Sequence, residues 1–520
     1  MNLTRALGSV GGLTLASRVL GLVRDSLFAR FMGAGFASDA FLVAFRLPNL
    51  FRALFAEGAF SAAFIPMFNR KVAEADGELK PGIIFAEDAL SVLLPILIVL
   101  TIVLEIAAYP VTMAISLGFH HISDKDFAFA VELSRITFPY LMLISLVSLL
   151  GGILNSLHKF WVNAAAPILL NATLIVALLF FHTDPLGTAR NQAIAVTVSG
   201  ALQLAWLVLA CRQTGVRLRL RLPRLNPDVK RLMALIWPAA AGAGAVQINL
   251  VISTALAASL LTQGSISYIY YADRLNQLPL GLIGIGLGTV LLPTISRFLG
   301  RGEEAEAMEM QNRGMELALF FTLPATVALI VCGVPIIAAL FQHGAFTPAD
   351  STATAQALAC FSIGLPSYIL VKVLTPGYYA RSDTRTPVRY ATISIGVNLV
   401  LNLAFIVPLK HMGPPLATAL ASTVNVYMLY RTLRARGHFV PDLRLRRRVV
   451  RLAGAAVVMG IAMYFLDDLF TPYTTGPSLV RWGAMFVLVG TGGLVYAIAC
   501  FALRAYRPAD LRALVRRREA

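Results

Sequence analysis

Charge is scarce in this chain, and acidic charge is the scarcer kind. Of 520 residues only 14% are charged, with 44 Lys and Arg against 27 Asp and Glu. A soluble protein of this length needs far more polar surface around its core, so a purely soluble fold is excluded. Cysteine is scarce too. Cys211, Cys332, Cys360 and Cys500 stand apart, with no CxxC and no histidine beside them. That spacing excludes a disulfide framework and argues against a metal site. There is no Gly-Lys dipeptide, hence no G-x-x-x-x-G-K-[ST] phosphate loop, and there is no HExxH. The apolar segments lack the period-two alternation of a membrane barrel. No loop is long enough to fold as a catalytic domain. The chain therefore reads as a non-enzyme, with no cofactor and no metal.

What is present is apolar sequence: 58% of residues are hydrophobic and the mean hydropathy is +0.73. Windows of about 18 or more apolar residues recur from end to end, the mark of an all-α polytopic membrane protein. About fourteen transmembrane helices are expected, near 8–31, 38–68, 84–115, 128–156, 160–182, 189–211, 230–262, 265–298, 313–342, 350–379, 386–408, 412–435, 447–467 and 478–504. The first resembles a signal peptide, but Arg18 and Arg24 interrupt its apolar run, so it is read as a retained helix.

The connecting loops sort by charge. Segments 69–83, 157–159, 212–229, 299–312, 380–385, 436–446 and both termini hold or border about thirty of the 44 basic residues, including RLRLRLPR and RLRRRVVR. The alternate loops hold about four. Cytoplasmic loops carry such an excess, so both termini are expected in the cytoplasm. The net charge of +17 is thus a topology signal. No basic domain stands outside the membrane to bind nucleic acid.

An internal repeat is visible at an offset of about 228 residues. SDAFLVAFR (38–46) and FIPMFNR (64–70) return as SYIYYADR (267–274) and LPTISRF (292–298). Asn171 falls near Asn398, and GGILNSLHKF near GYYARSDTRT. Helices one to six would then repeat as seven to twelve. The expectation is two six-helix lobes, 1–225 and 226–440, related by a pseudo-twofold along the membrane normal around a central cavity. Residues 441–520 add two helices and a basic tail.

A few ionisable residues remain inside the spans: Arg18, Arg24, Asp25, Asp39, Arg46, Arg52 and Glu57 early, then Asp273, Arg274 and Lys372. An arginine at the bilayer centre costs about 2.5–3.5 kcal/mol, so these must pair or face a wet cavity. Adjacent helical residues point about 100° apart, so Arg24–Asp25 and Asp273–Arg274 are not expected to pair. Arg18 and Arg24 lie about 120° apart on a straight helix, and a break near Gly21 would bring both into one cavity. Arginines outnumber carboxylates in the first two helices. A surplus of guanidinium groups suits an anion with paired oxygens, a diphosphate above all. A cation-coupled drug exporter, the rival transporter, needs a cavity dominated by carboxylates. A membrane-embedded glycan polymerase would need catalytic carboxylates near an outer loop, and Asp467–Asp468 reads as a solvated loop end. GLIGIGLG (281–288) reads as a close-packing stripe, and Pro95, Pro139, Pro238, Pro324 and Pro366 as kinks or hinges.

Four stretches together carry a family resemblance: SRVLGLVRDSLFARFMGAG, SDAFLVAFRLPNLFRALFAEGAFSAAFIPMF, YYADRLNQLPLGLIGIGLGTVLLPTIS and YYARSDTRTPVRYA. The chain resembles, over essentially its whole length, the MurJ (MviN) family of lipid II flippases, in the multidrug/oligosaccharidyl-lipid/polysaccharide exporter superfamily. The resemblance implies fourteen helices and movement of the undecaprenyl-diphosphate-linked peptidoglycan precursor from the inner to the outer leaflet of the bacterial cytoplasmic membrane. It maps the family's cavity arginines onto Arg18, Arg24, Arg52 and Arg274, and its acidic gating or pairing positions onto Asp25, Asp39, Glu57 and Asp273. It implies that helices thirteen and fourteen form a groove for the polyprenyl tail. Where some relatives carry an acidic residue after the Asp-Arg pair, this chain has Gln277. Where some bind sodium, the counterparts here are Asn398, Asn402 and Thr418, all neutral, which form the one candidate site for a monovalent ion. The expected partners are lipid II and membrane lipids, and the expected state is a monomer. A flippase for another lipid-linked oligosaccharide predicts the same cavity.

Overall fold

The computed structural model describes residues 3–56, 59–119, 122–474 and 476–505. Among them there is no strand, only helices and their connections. In chain order these are α1 (Leu3–Met32), α2 (Phe36–Ala44), α3 (Arg46–Ala56), α4 (Ala59–Ala73), α5 (Leu79–Ile106), α6 (Ala108–Ser116), α7 (Asp124–Ser156), α8 (Phe160–Phe180), α9 (Pro185–Gln213) and α10 (Pro227–Leu260). There follow α11 (Ser265–Gly300), α12 (Glu304–Val331), α13 (Gly333–Phe341), α14 (Pro348–Ile363), α15 (Leu365–Tyr379), α16 (Arg385–Leu409), α17 (Gly413–Ala435), α18 (Leu443–Thr474) and α19 (Ser478–Ala502).

Each expected span coincides with one helix or with a run of short ones. The second is α2–α4, the third α5–α6, the ninth α12–α13 and the tenth α14–α15. Among the described residues ten stretches are long and apolar enough to cross a membrane, with Arg385–Ala435, which holds both α16 and α17, counted as one. The stretches outside that group are α1, the broken α2–α4 run, and α10, whose apolar part is Gln247–Leu260. The protein is therefore a multi-pass helical membrane protein, and the full count of fourteen crossings stays an expectation.

Proline explains the breaks. They fall at Phe45, Ala107, Cys332 and Gly364, and Pro48, Pro110, Pro335 and Pro366 follow within three residues. A proline cannot donate to the carbonyl four residues back and clashes with it. Inside a bilayer that carbonyl needs another donor. At the first break the donor is visible: Thr137 Oγ1, on α7, donates to Ala44 O at 3.0 Å. Of the prolines singled out from the sequence, Pro366 sits at a break, whereas Pro95, Pro139 and Pro324 lie within continuous helices.

The repeat has a structural counterpart. A 28-residue helix, a one-residue break and a nine-residue helix occur as α5–α6 and again as α12–α13. In both, a proline stands three residues beyond the break.

The chain divides into two compact units, Met1–Ser267 and Tyr268–Ala520. In the first, α7 is the central helix, apolar around most of its circumference and packed on α2–α6 and α9. Gly200 of α9 allows that contact to be close, since a Cβ there would lie 2.8 Å from the Tyr140 ring. α1 packs on α8, and α10 packs on α3, α4 and α6. By compactness, then, the helix that opens the second sequence repeat belongs with the first unit. In the second unit α12 packs on α14, α15 and α18, and α16 with α17 and α18 with α19 form helical hairpins. α18 runs to Thr474, so Asp467 and Asp468 lie inside a helix and not at a loop end.

Candidate functional site

In the first unit, α1 runs unbroken through Gly21, which removes the expected break there. Arg18 is exposed, while Arg24 is half-buried and Asp25 buried. Arg24 and Asp25 do pair, contrary to the expectation drawn from their adjacent positions. Arg24 Nε and Nη2 both donate to Asp25 Oδ1, at 2.9 and 2.6 Å. The helical offset separates the Cβ atoms, but the arginine stem is long enough to fold back. Nη1 donates to Asn171 Oδ1 on α8 at 2.9 Å, and Asn171 Nδ2 donates to Ser17 O at 2.9 Å. Asn171 thus orients the arginine. The sequence marked it only as a repeat position.

The remaining candidates of this unit are placed separately. Arg52 Nε donates to Asn49 Oδ1 at 3.0 Å, and Arg46 Nη2 to Leu250 O at 3.0 Å. Asp39 is buried at the start of α2. It accepts from Gly264 N at 2.6 Å, Ser267 N at 2.9 Å and Ser267 Oγ at 2.6 Å. It therefore caps the first turn of α11 with a charge, as helix N-termini favour. Glu57 lies outside the described residues.

In the second unit, the Arg274 guanidinium stands 4.7 Å from the Tyr270 ring centroid, and Gln277 Nε2 donates to Asp273 Oδ2. Glycine at 284 leaves room for Lys372, whose Cδ would be 2.8 Å from an added Cβ. No neighbour lies within 4 Å of a Cβ built at Gly286 or Gly288, whereas Gly284 is closely packed. Asn398 Nδ2 donates to Thr418 Oγ1 at 3.2 Å, and Asn402 is fully buried on the same helix. Among the described residues no three His, Cys, Asp or Glu side chains group as metal ligands.

Two ionic clusters were not anticipated. Glu316 of α12, nearly buried, accepts from Arg313 and from the buried Arg448 of α18, and Arg444 stands 3.6 Å away. Arg313 also pairs with Asp442. In the first unit, Glu87 and Asp88 of α5 hold the α9–α10 connector through Arg219, Arg221 and Asn226. Arginines read as a topology signal are thus also structural fasteners. In the loop before α16, Asp383 accepts from Thr386 Oγ1 at 2.7 Å, Thr386 N at 2.9 Å and Arg436 Nη1 at 2.7 Å. These bonds, the Thr386 hydroxyl first, lower its pKa to about 2. An apolar groove of about 480 Å³ opens between α12 and α18, lined by Val327, Ile330, Val457, Gly460, Ile461 and Phe465 among others.

The fold is shared with solved structures. A multidrug-resistance MATE transporter of the MOP superfamily, in its inward-facing conformation, superposes with a TM-score of 0.65 at 16% identity, over 81% of this chain and 94% of that one. That likeness is one of fold. The sequence model of the family described as "Lipid II flippase MurJ" matches residues 28–482. A probable lipid II flippase MurJ of Rhizobium tropici is 42% identical, covering 96% of this chain and 94% of the relative. A solved structure of the lipid II flippase MurJ, inward closed, superposes with a TM-score of 0.78 at 25% identity, over 94% and 97% of the two chains. The chain belongs to the lipid II flippase MurJ family.

Proposed function

We propose that the protein flips lipid II, the undecaprenyl-diphosphate-linked peptidoglycan precursor, from the cytoplasmic to the periplasmic leaflet by alternating access, for cell wall synthesis. The observation that carries this reading is family membership over nearly the full length of the chain. It is supported by a set of intramembrane arginines that suits a diphosphate. The protein acts as a transporter, not an enzyme, in the bacterial cytoplasmic membrane, with both termini inside and as a monomer.

In the first unit Arg18, Arg24 and Arg52 are the candidate contacts for the diphosphate, and in the second unit Arg274 is a further candidate. Asp25 and Asn171 hold Arg24 in place. Asp39, Glu57 and Asp273 gate or pair. The polyprenyl tail lies in a groove formed by α18 and α19, and the apolar groove of about 480 Å³ on the α12 side of α18 adds apolar surface beside it. Asn398, Asn402 and Thr418 are the candidate contacts for a monovalent ion. The membrane potential supplies drive, about 2.3 kcal/mol per charge per 100 mV. With the inside negative, an anion moving outward goes downhill.

The test is made in cells depleted of the protein, with an external enzyme that cleaves only outward-facing lipid II. Depletion should protect lipid II, and wild type should restore cleavage. Lipid II that stays exposed throughout would mean that the chain flips a different lipid-linked saccharide or that another flippase covers for it.

A further inference from the structure

The connector between α9 and α10 reads VRLRLRLPRL over 216–225, an alternation of arginine and leucine with period two. The structure gives it no helix: residues 216–226 are irregular, and α10 is capped by Asn226 Oδ1 accepting from Val229 N at 2.8 Å. The connector is tied to α5. Arg219 N donates to Glu87 Oε1 at 2.9 Å, Arg221 Nη2 meets Glu87 Oε2 at 2.6 Å, and Asn226 Nδ2 donates to Asp88 Oδ2 at 2.8 Å. Glu87 itself is only 4% exposed.

Leu220, Leu222 and Leu225 are nevertheless 71%, 79% and 62% exposed. That exposure would be costly in water. Contact with lipid would remove that cost. Arg217 and Arg224 are exposed and have no ion-pair partner among the described residues. Leucines on one side with unneutralised arginines beside them match the interface of an anionic leaflet.

We propose that this connector is an interfacial segment, with Leu220, Leu222 and Leu225 in the acyl boundary of the inner leaflet and Arg217 and Arg224 on the phosphates of anionic phospholipids. The proposal rests on the cytoplasmic assignment of this loop but not on the identity of the transported lipid.

The test uses the full chain with its four cysteines replaced and a nitroxide attached at Leu222→Cys, in nanodiscs. Spin-label collisions with oxygen, which concentrates in lipid, should exceed those with a water-soluble nickel chelate. Adding phosphatidylglycerol to phosphatidylcholine discs should deepen the label, and Arg217→Gln with Arg224→Gln should abolish that deepening. A label that meets the nickel chelate more often than oxygen overturns the proposal. Deepening that survives in the double variant overturns the assignment of the two arginines. Neither readout requires transport, so a failure here is distinct from a failure of the flippase reading.

Discussion

Glu316 offers the most quantitative prediction. Its carboxylate is nearly buried and accepts from Arg313 and Arg448. Arg313 has a second partner in Asp442, and Arg448 is only 8% exposed. Glu316→Ala therefore leaves the Arg448 guanidinium buried without its carboxylate. Removing one member of a buried pair costs about 3–5 kcal/mol, whereas replacing both by apolar groups of similar size is close to neutral. A unit of this size shifts by about 2–4 °C per kcal/mol, so unfolding followed by intrinsic fluorescence should fall by about 6–20 °C in Glu316→Ala. Glu316→Leu combined with Arg448→Met should recover most of the loss. Two results would refute the reasoning: a single variant as stable as wild type, or a double variant no better than the single one. The first would mean that Arg448 finds another partner or water, and the second that the charges set the α12–α18 geometry.

Further outcomes follow from other contacts. Thr137→Val removes the hydroxyl that meets Ala44 O at the first helix break; an unmet buried carbonyl should cost about 1–3 kcal/mol, measured by thermal unfolding, while Thr137→Ser should retain stability. Asp383 has a folded pKa of about 2, below its ordinary 3.8. Its stabilising contribution is full above about pH 4 and lost as pH falls toward 2, so Asp383→Asn should flatten the stability profile across that window only. Arg24→Ala should abolish rescue of depleted cells. Asn171→Ala, which frees Arg24 without removing it, should weaken rescue less, as scored by growth and by cleavage of external lipid II. Collapsing the membrane potential should stop flipping and leave lipid II binding intact, and flipping that continued unchanged would remove the potential from the energetics.

Helix positions were legible because hydropathy is a local property, and every expected span found its helix or run of helices. The breaks obey an equally local rule, yet only Pro366 drew attention beforehand. Pro48, Pro110 and Pro335 sit near segment ends, where proline is ordinary, and nothing local shows that the helix resumes. The pairing of Arg24 with Asp25 was missed because helical angle describes Cβ directions, not the reach of a flexible four-bond side chain. Glu316 with Arg448, and Glu87 with Arg221, are joined across 132 and 134 residues. No periodicity encodes such partners, and the charge count of the loops had already given those arginines another explanation. Asn171 carried a signal, its repeat position opposite Asn398, but a polar residue in an apolar helix does not announce what it orients.

The central claim is best tested with no other cell-wall protein present. The purified chain would be reconstituted into liposomes carrying lipid II, with the external enzyme as reporter of its outer leaflet after a potential is imposed. The account predicts that an initially protected pool becomes cleavable at a rate set by the amount of protein, and that Arg24→Ala vesicles match protein-free ones. It also predicts that an undecaprenyl monophosphate-linked saccharide is moved far more slowly than the diphosphate. A folded protein that leaves the protected pool untouched, or one that moves monophosphate and diphosphate carriers alike, would contradict it.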